Sequence, residues 1–130
     1  MRNLEKYKGV IPAFYACYDK EGNISPEGVQ GLTKYFVKKG VKGVYVNGSS
    51  GECIYQSVED RKIVLENVMK VAEGKLTVIA HVACNNTKDS QELARHAEGL
   101  GVDAIAAIPP IYLLRSIGMP LVQRHRTQTL

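Results

Sequence analysis

Short runs of valine, isoleucine and alanine alternate along this chain with stretches whose apolar residues recur every three or four positions. The first run, residues 9–15 (Gly-Val-Ile-Pro-Ala-Phe-Tyr), predicts a strand and is followed by turn residues 19–23. Ser25 and Pro26 then open a helix, serine as N-cap and proline at the first helical position, where a missing N–H costs nothing. Val29, Leu32, Thr33, Phe36 and Val37 make its inward stripe, and Gly40 ends it. The second strand, 43–47, runs into Gly48-Ser-Ser-Gly-Glu52. Ser57 and Asp60 form a capping-box variant ahead of a helix that buries Ile63, Val64, Val68 and Val71 and stops at Gly74. A third strand, 76–82, precedes a helix capped by Thr87 and running to about Gly99, with Leu93, Ala94, Ala97 and Leu100 inward. The fourth strand, 102–108, is closed by Pro109 and Pro110.

Strands of this composition alternating with helices predict parallel pairing through right-handed crossovers. The fold class is α/β, with three βα units plus a fourth strand. After Tyr112 the pattern stops: residues 113–130 hold no capped helix and no alternating strand. The chain's 130 residues are too few for a complete (β/α)8 barrel, which needs roughly 250.

Charge changes the picture little. The net charge is +4, but residues 113–130 carry Arg115, Arg124 and Arg126 with no acidic residue, so the preceding body is nearly balanced. That body gives no reason to expect a nucleic-acid partner. No apolar run approaches the roughly 20 residues of a membrane helix, and the N-terminus does not read as a signal peptide, so no membrane partner and a cytoplasmic location are expected. Cys17, Cys53 and Cys84 stand far apart without a C-x-x-C pair and read as reduced thiols; no metal and no cofactor are expected.

In a parallel α/β array, chemistry collects at the C-terminal ends of the strands. The loop Gly48-Ser49-Ser50-Gly51-Glu52 lies there. Its glycines allow a tight turn, and its hydroxyls and backbone N–H groups suit an anion such as a carboxylate. A purely structural turn is the competing reading. His81 and Cys84 invite a thiol mechanism, yet no third orienting group is present, and a hydrogen-bonded structural histidine is the simpler reading. His96 and the helix lysines, Lys62 among them, are expected to be solvated. Lys42 and Lys75 precede strands, at the opposite face; Lys20 and Lys88 fall in loops at the functional edge. None suits a Schiff base, which needs a partly desolvated amine.

Four segments carry a family resemblance: 9–14 (Gly-Val-Ile-Pro-Ala-Phe), 45–53 (Tyr-Val-Asn-Gly-Ser-Ser-Gly-Glu-Cys), 79–84 (Ile-Ala-His-Val-Ala-Cys) and 107–112 (Ala-Ile-Pro-Pro-Ile-Tyr). Together they resemble the pyruvate-dependent aldolases, the family of N-acetylneuraminate lyase (sialic acid aldolase) and dihydrodipicolinate synthase. The His81–Cys84 stretch leans toward the lyase branch. The resemblance covers residues 1–112 and implies the N-terminal half of a (β/α)8 TIM barrel. It also implies a small-molecule substrate, a homotetramer for the full-length family, and cleavage of N-acetylneuraminate to N-acetylmannosamine and pyruvate through a lysine Schiff base. Ser49, Ser50 and Gly51 match the loop that binds the pyruvyl carboxylate. Tyr112 matches an auxiliary tyrosine that reaches a neighbouring subunit's site. The family's Tyr-Asn-Ile/Val-Pro motif and its Schiff-base lysine are not among these residues, so activity of this chain alone is not expected. A fragment of a related aldolase such as the synthase, or a non-catalytic half-barrel module, are the alternatives. Back-translating the family's continuation past Tyr112 and reading from the second base reproduces residues 113–130, which are therefore expected to be an out-of-frame basic tail.

Overall fold

The computed structural model describes residues 4–109, beginning with a 3-10 turn, Glu5–Tyr7. The remaining elements are α1 (Pro26–Lys39), β1 (Gly43–Val46), a second 3-10 turn (Ser49–Gly51), α2 (Val58–Ala72), β2 (Thr77–His81), α3 (Thr87–Gly99) and β3 (Ala104–Ala106). The sheet runs β1-β2-β3, every pair parallel, with Gly43 opposite Thr77 and Ile79 opposite Ala104. The predicted α/β alternation is therefore present, and each helix carries the chain to the adjacent strand.

Local chemistry sets the helix ends. Ser25 accepts from the Gly28 N–H with Pro26 at the first position, and Gly40 closes α1 in the left-handed conformation at φ 70°. The Ser57–Asp60 capping box is complete: the Asp60 N–H donates to Ser57 Oγ at 3.0 Å, and the Ser57 N–H donates to Asp60 Oδ2 at 3.2 Å. The cap of α3 is Asn86, not Thr87. Asn86 stands in extended backbone, and its amide oxygen accepts from the Asp89 N–H at 2.8 Å, which places Thr87 inside the first turn.

The predicted first strand is not a ladder strand. Residues 9–15 run alongside β1 but form a single bridge, Ala13 to Tyr45, through Phe14 N to Tyr45 O (2.8 Å) and Tyr45 N to Pro12 O (2.9 Å). One register step earlier, Pro12 has no N–H to give, and the Val10 carbonyl is taken by the Lys42 N–H instead. The other strands are shorter than predicted but lie within their expected ranges.

Alternation along the strands divides the sheet into two faces. Val44, Val46, Val78 and Ala80 face the helices and are buried against Val29, Val64, Val68 and Leu93. Tyr45, Ile79 and His81 lie on the other face. Ile105 continues the Val46–Ala80 row but is 45% exposed. The N-terminal turn seals the opposite end of the sheet. Tyr7 Oη donates to the Asp103 carbonyl, Lys6 Nζ pairs with Asp103 at 3.0 Å, and Thr77 Oγ1 donates to the Lys6 carbonyl. Lys42 and Lys75 line a depression at that same end, away from the serine loop, as expected. Among the described residues, no helix is long and apolar enough to cross a membrane.

Candidate functional site

The loop after β1 is built from its backbone upward. Asn47 ends the strand at φ 60°, an unusual conformation for a residue with a side chain, and this turns the chain toward Gly48. A Cβ on Gly48 would lie 2.6 Å from Tyr45 Cε1, so only glycine passes this close to that ring. Ser49–Gly51 then form the 3-10 turn, whose first N–H groups have no carbonyl one turn back to bond. Both serines are exposed, whereas Gly51 is buried, with the Phe14 carbonyl 2.9 Å from where its Cβ would stand. Gln56 Nε2 donates to the Gly51 carbonyl at 2.9 Å and anchors the far side of the turn. The hydroxyls and leading N–H groups of Ser49 and Ser50 are thus presented at the C-terminal edge of the sheet, where the sequence left an anion site and a structural turn as alternatives.

Beneath the loop lies a buried polar cluster. Asn47, Arg61 and His81 are 3%, 2% and 4% exposed. Asn47 Nδ2 donates to the Arg61 carbonyl at 2.9 Å, and His81 Nδ1 lies 3.0 Å from the Asn47 carbonyl. A carbonyl only accepts, so His81 carries its proton on Nδ1. The Arg61 guanidinium donates through Nη2 to the His81 carbonyl (2.7 Å) and through Nη1 to the Ala83 carbonyl (2.9 Å) and Cys84 Sγ (3.1 Å). His81 is therefore the hydrogen-bonded structural histidine of the simpler reading. The Cys84 sulfur faces Arg61, and burial pushes its thiol pKa up more than that charge lowers it, which works against a thiolate.

Burial pulls the His81 pKa below the ordinary 6.5; the hydrogen bond to Asn47 opposes this, and the Arg61 charge reinforces it. The unfolded chain then binds a proton that the folded chain refuses. This contribution is present above about pH 6.5 and is lost as pH falls toward the folded value. Urea midpoints are expected to fall between pH 7 and pH 5, with a flatter dependence in His81→Asn. An unchanged slope in that variant would remove His81 as the cause.

Other expectations need correction. His96 is not solvated: its Nε2 lies 2.9 Å from Glu66 Oε1 between α3 and α2, and its side chain is 18% exposed. Lys62 is likewise drawn between the helices, pairing with Glu92 at 2.6 Å. Lys88 is not in a loop but in the first turn of α3. Tyr112 lies outside the described residues, as does the tail 113–130. Arg61 escaped the sequence reading, although it occupies the inward stripe of α2 together with Val64, Leu65, Val68 and Ala72.

A profile of the dihydrodipicolinate synthetase family matches residues 6–118. An N-acetylneuraminate lyase of Enterobacter sp. (strain 638) is 38% identical over 108 residues, 83% of this chain and 36% of that protein. The solved Ruminococcus gnavus sialic acid aldolase, in its catalytic lysine mutant, is 96% identical and superposes with a TM-score of 0.87 over 89% of this chain and 38% of its own. An N-acetylneuraminate lyase from Mycoplasma synoviae is 37% identical, with a TM-score of 0.83 over 88% of this chain and 40% of its own. The chain spans about a third of the length of the curated relatives it matches.

Proposed function

The chain belongs to the dihydrodipicolinate synthetase family, its parallel sheet being the N-terminal part of a (β/α)8 barrel, and we propose that it carries the carboxylate-binding end of an N-acetylneuraminate-cleaving aldolase. The observation that supports this most is the Ser49–Gly51 turn at the C-terminal edge of the sheet, two exposed hydroxyls and unbonded leading N–H groups on a rigid buried base. These groups would accept the carboxylate of pyruvate, or the corresponding end of the sialic acid, by charge-assisted hydrogen bonds. Gly51 contributes its backbone and its fit against the Phe14 carbonyl. Tyr112 would supply the auxiliary hydroxyl, within a cytoplasmic homotetramer.

The covalent half of the reaction, attack of a lysine amine on the ketone carbon with loss of water, needs an amine whose pKa is lowered by partial burial. Lys6 and Lys62 are held the other way, their pKa raised by carboxylate partners: Lys6 by Asp103, Lys62 by Glu92 and then Glu59. On this reading the described residues bind a keto acid without bonding to it. Labelled pyruvate is expected to bind saturably and reversibly, and borohydride is expected to trap no adduct. Stoichiometric trapping would overturn the non-covalent part. Failure of pyruvate to perturb the Ser49 and Ser50 amides would overturn the binding part.

A further inference from the structure

Among the described residues, Arg61 is a cation held out of water with no direct carboxylate partner. Among the described residues its hydrogen-bond partners are two carbonyl oxygens and a neutral thiol, no carboxylate lies within ion-pair distance, and its buried Nε has no partner. A purely structural tie between α2 and the end of β2 does not require a charge, because neutral donors satisfy carbonyls without the desolvation cost of a guanidinium. The side chain also sits at a junction. Its guanidinium holds the last residue of β2 and the turn beyond, while its own carbonyl holds the Asn47 side chain at the end of β1. Asn47 in turn launches the Ser49–Gly51 turn from a left-handed backbone conformation.

We propose that Arg61 is a positioning residue for an α-keto acid carboxylate: its backbone carbonyl, holding Asn47, fixes the take-off of the serine turn, and its buried charge, which no carboxylate pairs directly, biases that turn toward anions. The inference rests on the carboxylate-binding reading above and extends it to a residue that touches no ligand itself. The field of a poorly screened cation acts over several ångströms, farther than a hydrogen bond, so Arg61 need not contact the ligand to favour it. A carboxylate arriving at the turn adds a negative charge that this field favours.

The test uses the full chain and two near-isosteric probes, pyruvate and its neutral amide, with wild type, Arg61→Lys and Arg61→Met compared by titration. Wild type is expected to prefer pyruvate. In Arg61→Met, pyruvate affinity is expected to fall about tenfold while affinity for the amide stays within about twofold; Arg61→Lys should keep most of the preference. A merely structural strut would weaken both probes alike, and that result, or an undiminished preference in Arg61→Met, overturns the proposal. If Arg61→Met does not fold, the wild-type Arg61 Nε–H resonance decides: it should shift with pyruvate and not with the amide, and a resonance indifferent to both overturns the proposal. Wild type that binds no pyruvate defeats the carboxylate-binding reading and this inference together, whereas pyruvate binding with an unaltered preference in Arg61→Met defeats this inference alone.

Discussion

Phe14→Ala is expected to lower the stability of the chain by about 4 kcal/mol, a large part of what a domain this size has. Phe14 is 1% exposed, and its ring packs at 6.0 Å on Phe36 of α1. It is the main apolar anchor of residues 9–15, which have one bridge to the sheet rather than a ladder. Truncation leaves a cavity that β1 and α1, each held by its own hydrogen bonds, cannot close. The Phe14 carbonyl also lies under Gly51, so the damage should reach the serine turn. Urea unfolding followed by circular dichroism should show the loss, and hydrogen exchange at Ser49 and Ser50 should quicken. Tyr15→Ala is the internal control: that side chain is 63% exposed, and its removal should change stability by no more than about 0.5 kcal/mol. Equal midpoints for the two variants would contradict the anchoring role.

Gly43→Ala should cost about 3 kcal/mol despite adding one methyl group. A Cβ at Gly43 would stand 2.2 Å from the Thr77 carbonyl oxygen and 2.9 Å from Thr77 Cβ. Thr77 cannot retreat, because its N–H donates to the Lys42 carbonyl and its hydroxyl to the Lys6 carbonyl. The strands must therefore separate where their register begins. Gly31→Ala offers the contrast. Gly31 sits in the middle of α1 with open space around it, and alanine there should stabilise by about 1 kcal/mol through its better helix propensity. Thermal melts of the two variants should move in opposite directions; a Gly43→Ala chain that melts like wild type would show that the sheet gives way easily at that point.

Local signals carried most of the fold. Ser25, Pro26, Gly40 and the Ser57–Asp60 pair act within one turn of themselves, and each does what its chemistry predicts. Where two neighbours can both cap, as with Asn86 and Thr87, the choice depends on which oxygen meets the Asp89 N–H, a matter of backbone angle that composition does not reveal. Pro12 was legible as a residue without a donor; that its loss reduces a strand to one bridge depends on the Lys42 N–H taking the Val10 carbonyl. The serine turn was legible from two glycines and two hydroxyls at a strand end. Its base was not. Arg61 stands in an apolar stripe, where an arginine commonly extends its head to water; it stays inside because the carbonyls of His81 at the end of β2 and of Ala83 just beyond it, some twenty residues later in the chain, come within reach. His96 was misplaced for the same reason, since Glu66 meets it only once α2 and α3 have packed.

The N-terminal turn has a consequence for the order of assembly. Successive βα units contact their immediate neighbours, so this portion of the sheet can grow outward from the first unit as the polypeptide leaves the ribosome. The Glu5–Tyr7 turn is synthesised before these strands but cannot complete its contacts early. Its partners are Thr77, 71 residues away, and Asp103, 96 residues from Tyr7. It must wait at the bottom of the growing sheet until β3 has emerged, then close over Asp103, whose carboxylate already accepts the Val78 N–H. The Glu5–Tyr7 turn thus settles only once Asp103 is in place, and it acts as a latch that registers the arrival of the third strand.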